Sequence, residues 1–140
     1  MRYTSHFVVA LMLLANVASV HAGWNYGGLK ITSVRDNQTV NARDLMFTSG
    51  TILANSPSNR VTGTRVVTAY AGNRDSHGVF VPSTYGSTYV NRFVRYWNVR
   101  LDGNRVTKNV ARRGFVYVTS RYAGSSSVHS WAMVDGLTFR

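Results

Sequence analysis

From residue 23 onward, apolar and polar residues follow one another in short stretches bounded by Gly, Asn, Asp, Ser and Pro. No amphipathic stretch of helical period extends beyond a turn or two, whereas Val, Thr, Tyr, Phe and Trp are abundant. β-Branched and aromatic side chains suit a pleated, half-buried surface, so the pattern predicts strands. They are expected over residues 29–35, 44–53, 60–70, 79–82, 88–101, 105–110, 114–122 and 128–134. The separators are turn-prone: Asp36-Asn37, Ser56-Pro57-Ser58-Asn59, Gly72-Asn73, Asp102-Gly103-Asn104 and residues 124–127. Asp102-Gly103 is the sharpest hairpin signal, because a tight turn needs positive φ, which Gly and Asx residues tolerate. Short strands at regular spacing predict an all-β fold, a small antiparallel β-sandwich or barrel.

Within the longest expected strand, Phe93, Trp97, Val99 and Leu101 share one parity and would point inward together. Arg95 interrupts that set while Val94 and Tyr96 take the other face, which calls for a bulge near Arg95 or a two-sided sheet. In the 60–70 strand, Thr62, Thr64, Val66, Thr68 and Tyr70 fall on one side. No internal repeat, charge block or linker divides the chain, so residues 23–140 are read as a single domain.

The first 22 residues have a different character. Arg2 supplies a positive start, residues 7–18 are apolar apart from Asn16, and small residues surround a cut after Ala22. This is the layout of a secretory signal peptide, and the apolar run is short of the roughly 20 residues a membrane span needs. The expectation is a secreted, extracellular protein with no transmembrane segment. The absence of cysteine removes disulfides, thiol nucleophiles and cysteine-ligated metal sites, so the domain must rest on its core.

Three segments resemble the small secreted arthropod proteins grouped with multiprotein bridging factor two, many described as salivary secreted peptides. They are Asn59-Arg60-Val61-Thr62-Gly63-Thr64-Arg65-Val66, Asp75-Ser76-His77-Gly78-Val79-Phe80-Val81, and the stretch from Arg112-Arg113-Gly114-Phe115 to Tyr122. The section 83–108 is longer than in that family's pattern, and residues 124–140 continue past its usual end. The resemblance implies an exported protein in a host-defence or salivary-type setting and brings no catalytic residues. The founding description, a transcriptional co-activator, sits poorly with a signal peptide.

Candidate chemistry is sparse. All five acids are Asp, and after the leader only His77 and His129 remain, on distant segments, so no metal-ligand set is apparent and no cofactor is expected. Asp75-Ser76-His77 gathers three catalytic residue types in one turn, but neighbours on a loop rarely converge as a triad requires. Asp and Ser favour turns for their own local hydrogen bonds. The chain is therefore read as non-enzymatic, with a small hydrolase as one alternative and a self-assembling structural component as another.

The basic surplus is the stronger signal. The whole chain carries a formal charge of +11, and beyond residue 22 Arg outnumbers Lys thirteen to two. Arg92, Arg95, Arg100, Arg105, Arg112 and Arg113 form the densest stretch, interleaved with Phe93, Tyr96 and Trp97. Guanidinium groups pair bidentately with phosphate or sulfate. These six residues are the predicted contact for an anionic surface: a glycosaminoglycan, a bacterial envelope or an anionic lipid. Specific nucleic-acid binding is not expected, since no recognised module is present. Arg112-Arg113 also has the form of a dibasic processing site, but a solvated turn between two strands is the better explanation. Asn37-Gln38-Thr39 is an N-glycosylation sequon in an expected turn, which makes Asn37 a candidate modification site.

Overall fold

The computed structural model describes residues 24–52 and 63–140. The expected leader, the Ser56–Asn59 turn, and the ends of the strands expected at 44–53 and 60–70 lie wholly or partly outside these residues. Among the described residues there are nine strands: β1 (Asn25–Tyr26), β2 (Lys30–Ile31), β3 (Thr39–Val40), β4 (Thr48–Thr51), β5 (Arg65–Arg74), β6 (Phe80–Val90), β7 (Tyr96–Val99), β8 (Gly114–Tyr122) and β9 (Ser130–Phe139). Two short 3₁₀ helices accompany them, Ala42–Phe47 and Gly103–Arg105. The larger sheet has the order β1-β9-β8-β5-β6, with β3 also paired to β9, and the smaller is β2-β4-β7. All pairings are antiparallel except β3 with β9. The fold is all-β, and among the described residues neither sheet closes into a barrel.

Alternation explains the core. Val67, Ala69 and Ala71 of β5, Val116 and Val118 of β8, and Ala132 and Val134 of β9 share one face of the large sheet. They join Trp97 and Val99 of β7, with Leu29, Ile52 and Leu101, in one buried cluster. Each such large side chain contributes about 2 kcal/mol by leaving water. Trp97 lies over Gly50 of β4, where a Cβ would come within 2.6 Å of its ring. Its indole N–H donates to the Thr51 carbonyl at 3.2 Å.

The other face of the large sheet is also apolar at one end, which sequence alternation conceals. Phe80, Phe115, Tyr117 and Met133 form a second buried cluster, with Tyr70 and Trp131 against it. Tyr85, Tyr70 and Tyr117 stand in a row across β6, β5 and β8, with successive ring centroids 6.2 Å apart. Burial, with Tyr70 beside it, pushes the Tyr117 hydroxyl well above the usual phenol range. Arg74 pairs with Asp135 at the edge of this cluster and places its guanidinium 4.4 Å from the centre of the Phe80 ring.

Several elements differ from expectation. The 88–101 strand is broken: β6 ends at Val90, and the Asn91 side chain and carbonyl accept the N–H groups of Phe93 at 3.2 Å and Val94 at 2.9 Å. Trp97, Val99 and Leu101 point inward as parity predicts, but Phe93 falls in the turn and is 75% exposed. Residues 83–87, which fall between the strands expected at 79–82 and 88–101, lie inside β6, and β9 runs on to Phe139. Residues 44–47 are helical, and no strand forms at 105–110. Asp102-Gly103 does not make a hairpin. The Asp102 carboxylate accepts the Asn104 N–H at 3.0 Å and starts a 3₁₀ turn. Gly103 serves there for close approach, its α-carbon resting on the Ala42 carbonyl.

Candidate functional site

The close approach of Gly103 to Ala42 helps shape a cleft. It clamps the loop 100–105 onto the first 3₁₀ helix, and two further bonds fix the loop: Leu101 N–H to the Leu45 carbonyl at 3.2 Å, and Asp102 N–H to Thr84 Oγ at 3.0 Å. On the opposite side the loop meets β6, where a Cβ on Gly86 would come within 2.8 Å of the Arg100 carbonyl. Helix, loop and the edge of β6 enclose an open cleft of about 800 Å³. Arg43, Arg100 and Arg105 line it, with Tyr85, Asp102 and Asn104.

Three arginines and a single carboxylate, that of Asp102, thus line the cleft. Arg105 Nε lies 3.4 Å from Asp102, but both side chains are more than half exposed, so the pair holds little energy. Arg43 and Arg100 make no side-chain hydrogen bond or ion pair among the described residues. Asp44, the next residue after Arg43, does not line the cleft. The volume lies within the usual span for small-ligand pockets, and its charge suits a phosphate, sulfate or carboxylate group.

Only Arg100 and Arg105 of the six predicted arginines meet in this cleft. Arg92 and Arg95 lie in the connection from β6 to β7, at the end of the sandwich where Arg65, Val90 and Tyr122 pair. Arg112 and Arg113 precede β8 at the other end, roughly 26 Å away by the rise of eight strand residues. There Arg112 N–H donates to Thr138 Oγ at 2.9 Å and the Arg113 carbonyl accepts the Arg74 N–H at 2.7 Å. Cleavage at this pair would cut off β8, which lies between β5 and β9.

Sequence reasoning missed Arg43 and Tyr85, since nothing local links either to residues 100–105. It also could not separate surface arginines from structural ones. Arg65 is 3% exposed and donates to the Val94 carbonyl at 3.2 Å, while Arg74 serves Asp135. Burial lowers the pKa of both guanidinium groups.

The Asp75-Ser76-His77 cluster is a turn. Asp75 Oδ1 accepts the backbone N–H groups of His77 at 2.8 Å and Val79 at 3.0 Å, and these bonds hold its carboxyl below the usual range. Asn37 is exposed, with φ of 62°, in the expected turn. Among the described residues no three His, Asp or Glu converge as metal ligands, and no helix is long and apolar enough to cross a membrane. Comparison with protein-family models, curated proteins and solved structures finds no match to this chain, so its functional reading rests on the cleft and the surface arginines themselves.

Proposed function

We propose that this chain is a secreted, non-enzymatic protein that attaches to an anionic extracellular or microbial surface. The observation that carries the reading is the convergence of Arg43, Arg100 and Arg105 on one open cleft whose lining includes a single carboxylate. A cleft so charged attracts anions from a distance and offers paired N–H donors to sulfate, phosphate or carboxylate oxygens on arrival. The remaining surface arginines at the two ends extend the attraction along the molecule. The resemblance to salivary secreted peptides supports a host-defence or salivary-type setting.

The test is affinity for heparin across a salt series, with wild type compared with the Arg43→Gln/Arg100→Gln double variant. Both side chains are exposed, so the variant should fold normally. Weaker binding is expected, with a salt slope shallower by about one to two in log–log form, as two ionic contacts are lost. Equal affinity and an equal slope would refute the assignment of the cleft.

A further inference from the structure

The connection between β6 and β7 combines features that neither the core nor the cleft explains. Tyr89, Phe93 and Tyr96 are 76%, 75% and 72% exposed, and Val94 is 43% exposed. Isolated exposed apolar residues are ordinary, but four within eight positions concentrate exposed apolar surface at one end of the fold. Tyr89 leaves the outer face of the large sheet, since it pairs with Val66 and its neighbours Thr88 and Val90 take the inner parity. Tyr96 leaves the outer face of the small sheet, beside inward-facing Trp97. Phe93 and Val94 lie between them, where the chain passes from one sheet to the other. Arg92 and Arg95 sit in the same eight residues, and the segment contains no acid.

We infer that this tip docks on an anionic lipid bilayer, with Phe93 and Val94 entering the headgroup–acyl boundary and Arg92 and Arg95 meeting lipid phosphates. The inference rests on the reading that the arginines engage an anionic surface, and it names that surface. Charge complementarity selects the acidic leaflet. The side chains select lipid over a glycan or nucleic acid: Val94 offers neither a hydrogen bond nor a ring, and one face of Phe93 is already covered by the Arg92 guanidinium, 4.5 Å from its centroid. Tyrosines flanking an apolar tip match the preference of amphipathic rings for the membrane–water interface. The turn is also pre-organised. Arg65 donates to the Val94 carbonyl at 3.2 Å and Ile52 N–H to the Arg95 carbonyl at 2.9 Å, so less order remains to be imposed on docking.

The experiment measures binding to phosphatidylcholine vesicles with and without phosphatidylglycerol, with heparin as a parallel ligand. Phe93→Ser should lower affinity for the anionic vesicles by at least about tenfold and leave heparin affinity unchanged. Arg92→Gln/Arg95→Gln should lower anionic-vesicle binding without altering binding to neutral ones. In Phe93→Trp, the added indole should shift its emission to the blue only when anionic vesicles are present. Vesicle binding untouched by Phe93→Ser, together with an unmoved indole, would overturn the inference; salt-sensitive heparin binding in the same protein would leave the broader reading standing. Binding to neither heparin nor vesicles would overturn both.

Discussion

Gly103→Ala tests how the cleft is built. The α-carbon of Gly103 rests on the Ala42 carbonyl, and an added Cβ would overlap that oxygen and its carbon and lie 3.0 Å from the Arg43 nitrogen. These are backbone atoms, so no side chain can swing aside, and either the loop or the helix must move. The loop is tied by Leu101 N–H to Leu45 and Asp102 N–H to Thr84, and the helix by Ala42 N–H to the Arg140 carbonyl at 3.0 Å. Displacement would break one or two of these bonds, each worth about 1 kcal/mol. With residual strain, the total is about 2 kcal/mol. For a domain of this size that is a fall in Tm of about 8 °C. The same displacement moves Arg43 relative to Arg100, so heparin affinity should fall as well. Gly78→Ala is the control: its φ of +79° imposes strain of about 1 kcal/mol, but nothing lies within 4 Å and it does not line the cleft. Thermal denaturation followed by circular dichroism, with heparin titration, reads both effects. A Gly103→Ala protein that melts with wild type and binds heparin equally would refute the clamp.

Three further outcomes follow from buried and half-buried groups. Ser120 and Ser130 are 0% and 1% exposed and bond to each other, so Ser120→Ala should cost about 1–2 kcal/mol by stranding the Ser130 hydroxyl, while the double alanine variant should lose less than the two single changes together, as urea denaturation would show. Phe115 is fully buried with the Phe80 ring edge-on at 4.9 Å, and Phe115→Ala should cost about 3–5 kcal/mol, seen as a large drop in the urea midpoint. Burial raises the Asp36 pKa, so the folded chain holds that proton more tightly than the unfolded one and the ionised carboxylate costs stability as pH rises through the raised value. Asp36→Asn keeps an acceptor for the Asp135 N–H while removing the charge. It should stabilise the protein at pH 7, with the gain fading below the ordinary carboxylate range in denaturation at acid pH.

Strand composition made the all-β class legible, because Val, Thr and aromatic residues dominate where β5, β8 and β9 form. The inward set Trp97, Val99 and Leu101 was legible from parity alone. The tip was not. Phe93 shares their parity, and only the Asn91 turn, a hydrogen-bonded break invisible to alternation, puts it on the surface. Gly86 was not legible either: that it lets the Arg100 backbone come near depends on a loop distant in sequence. The cleft was half legible. Arg100 and Arg105 announce themselves as part of a basic run, but Arg43 reaches them through tertiary packing. The arginine count likewise says nothing of Arg65 and Arg74, whose roles depend on distant partners, Val94 and Asp135.

The pairing of β1 and β3 with β9 has a consequence for how the chain folds. Asn25 aligns with Ala132 and Thr39 with Thr138, while β2, between them in sequence, crosses to the other sheet to pair with β4. Neither sheet is therefore built from one contiguous stretch. A loop of about a hundred residues must close before these pairings return any hydrogen bonds, so its entropy is lost early and recovered late. Topologies dominated by such distant pairings fold in roughly milliseconds to seconds, far slower than chains with local contacts. The N-terminal strands and β9 should gain protection from hydrogen exchange together, in one cooperative step.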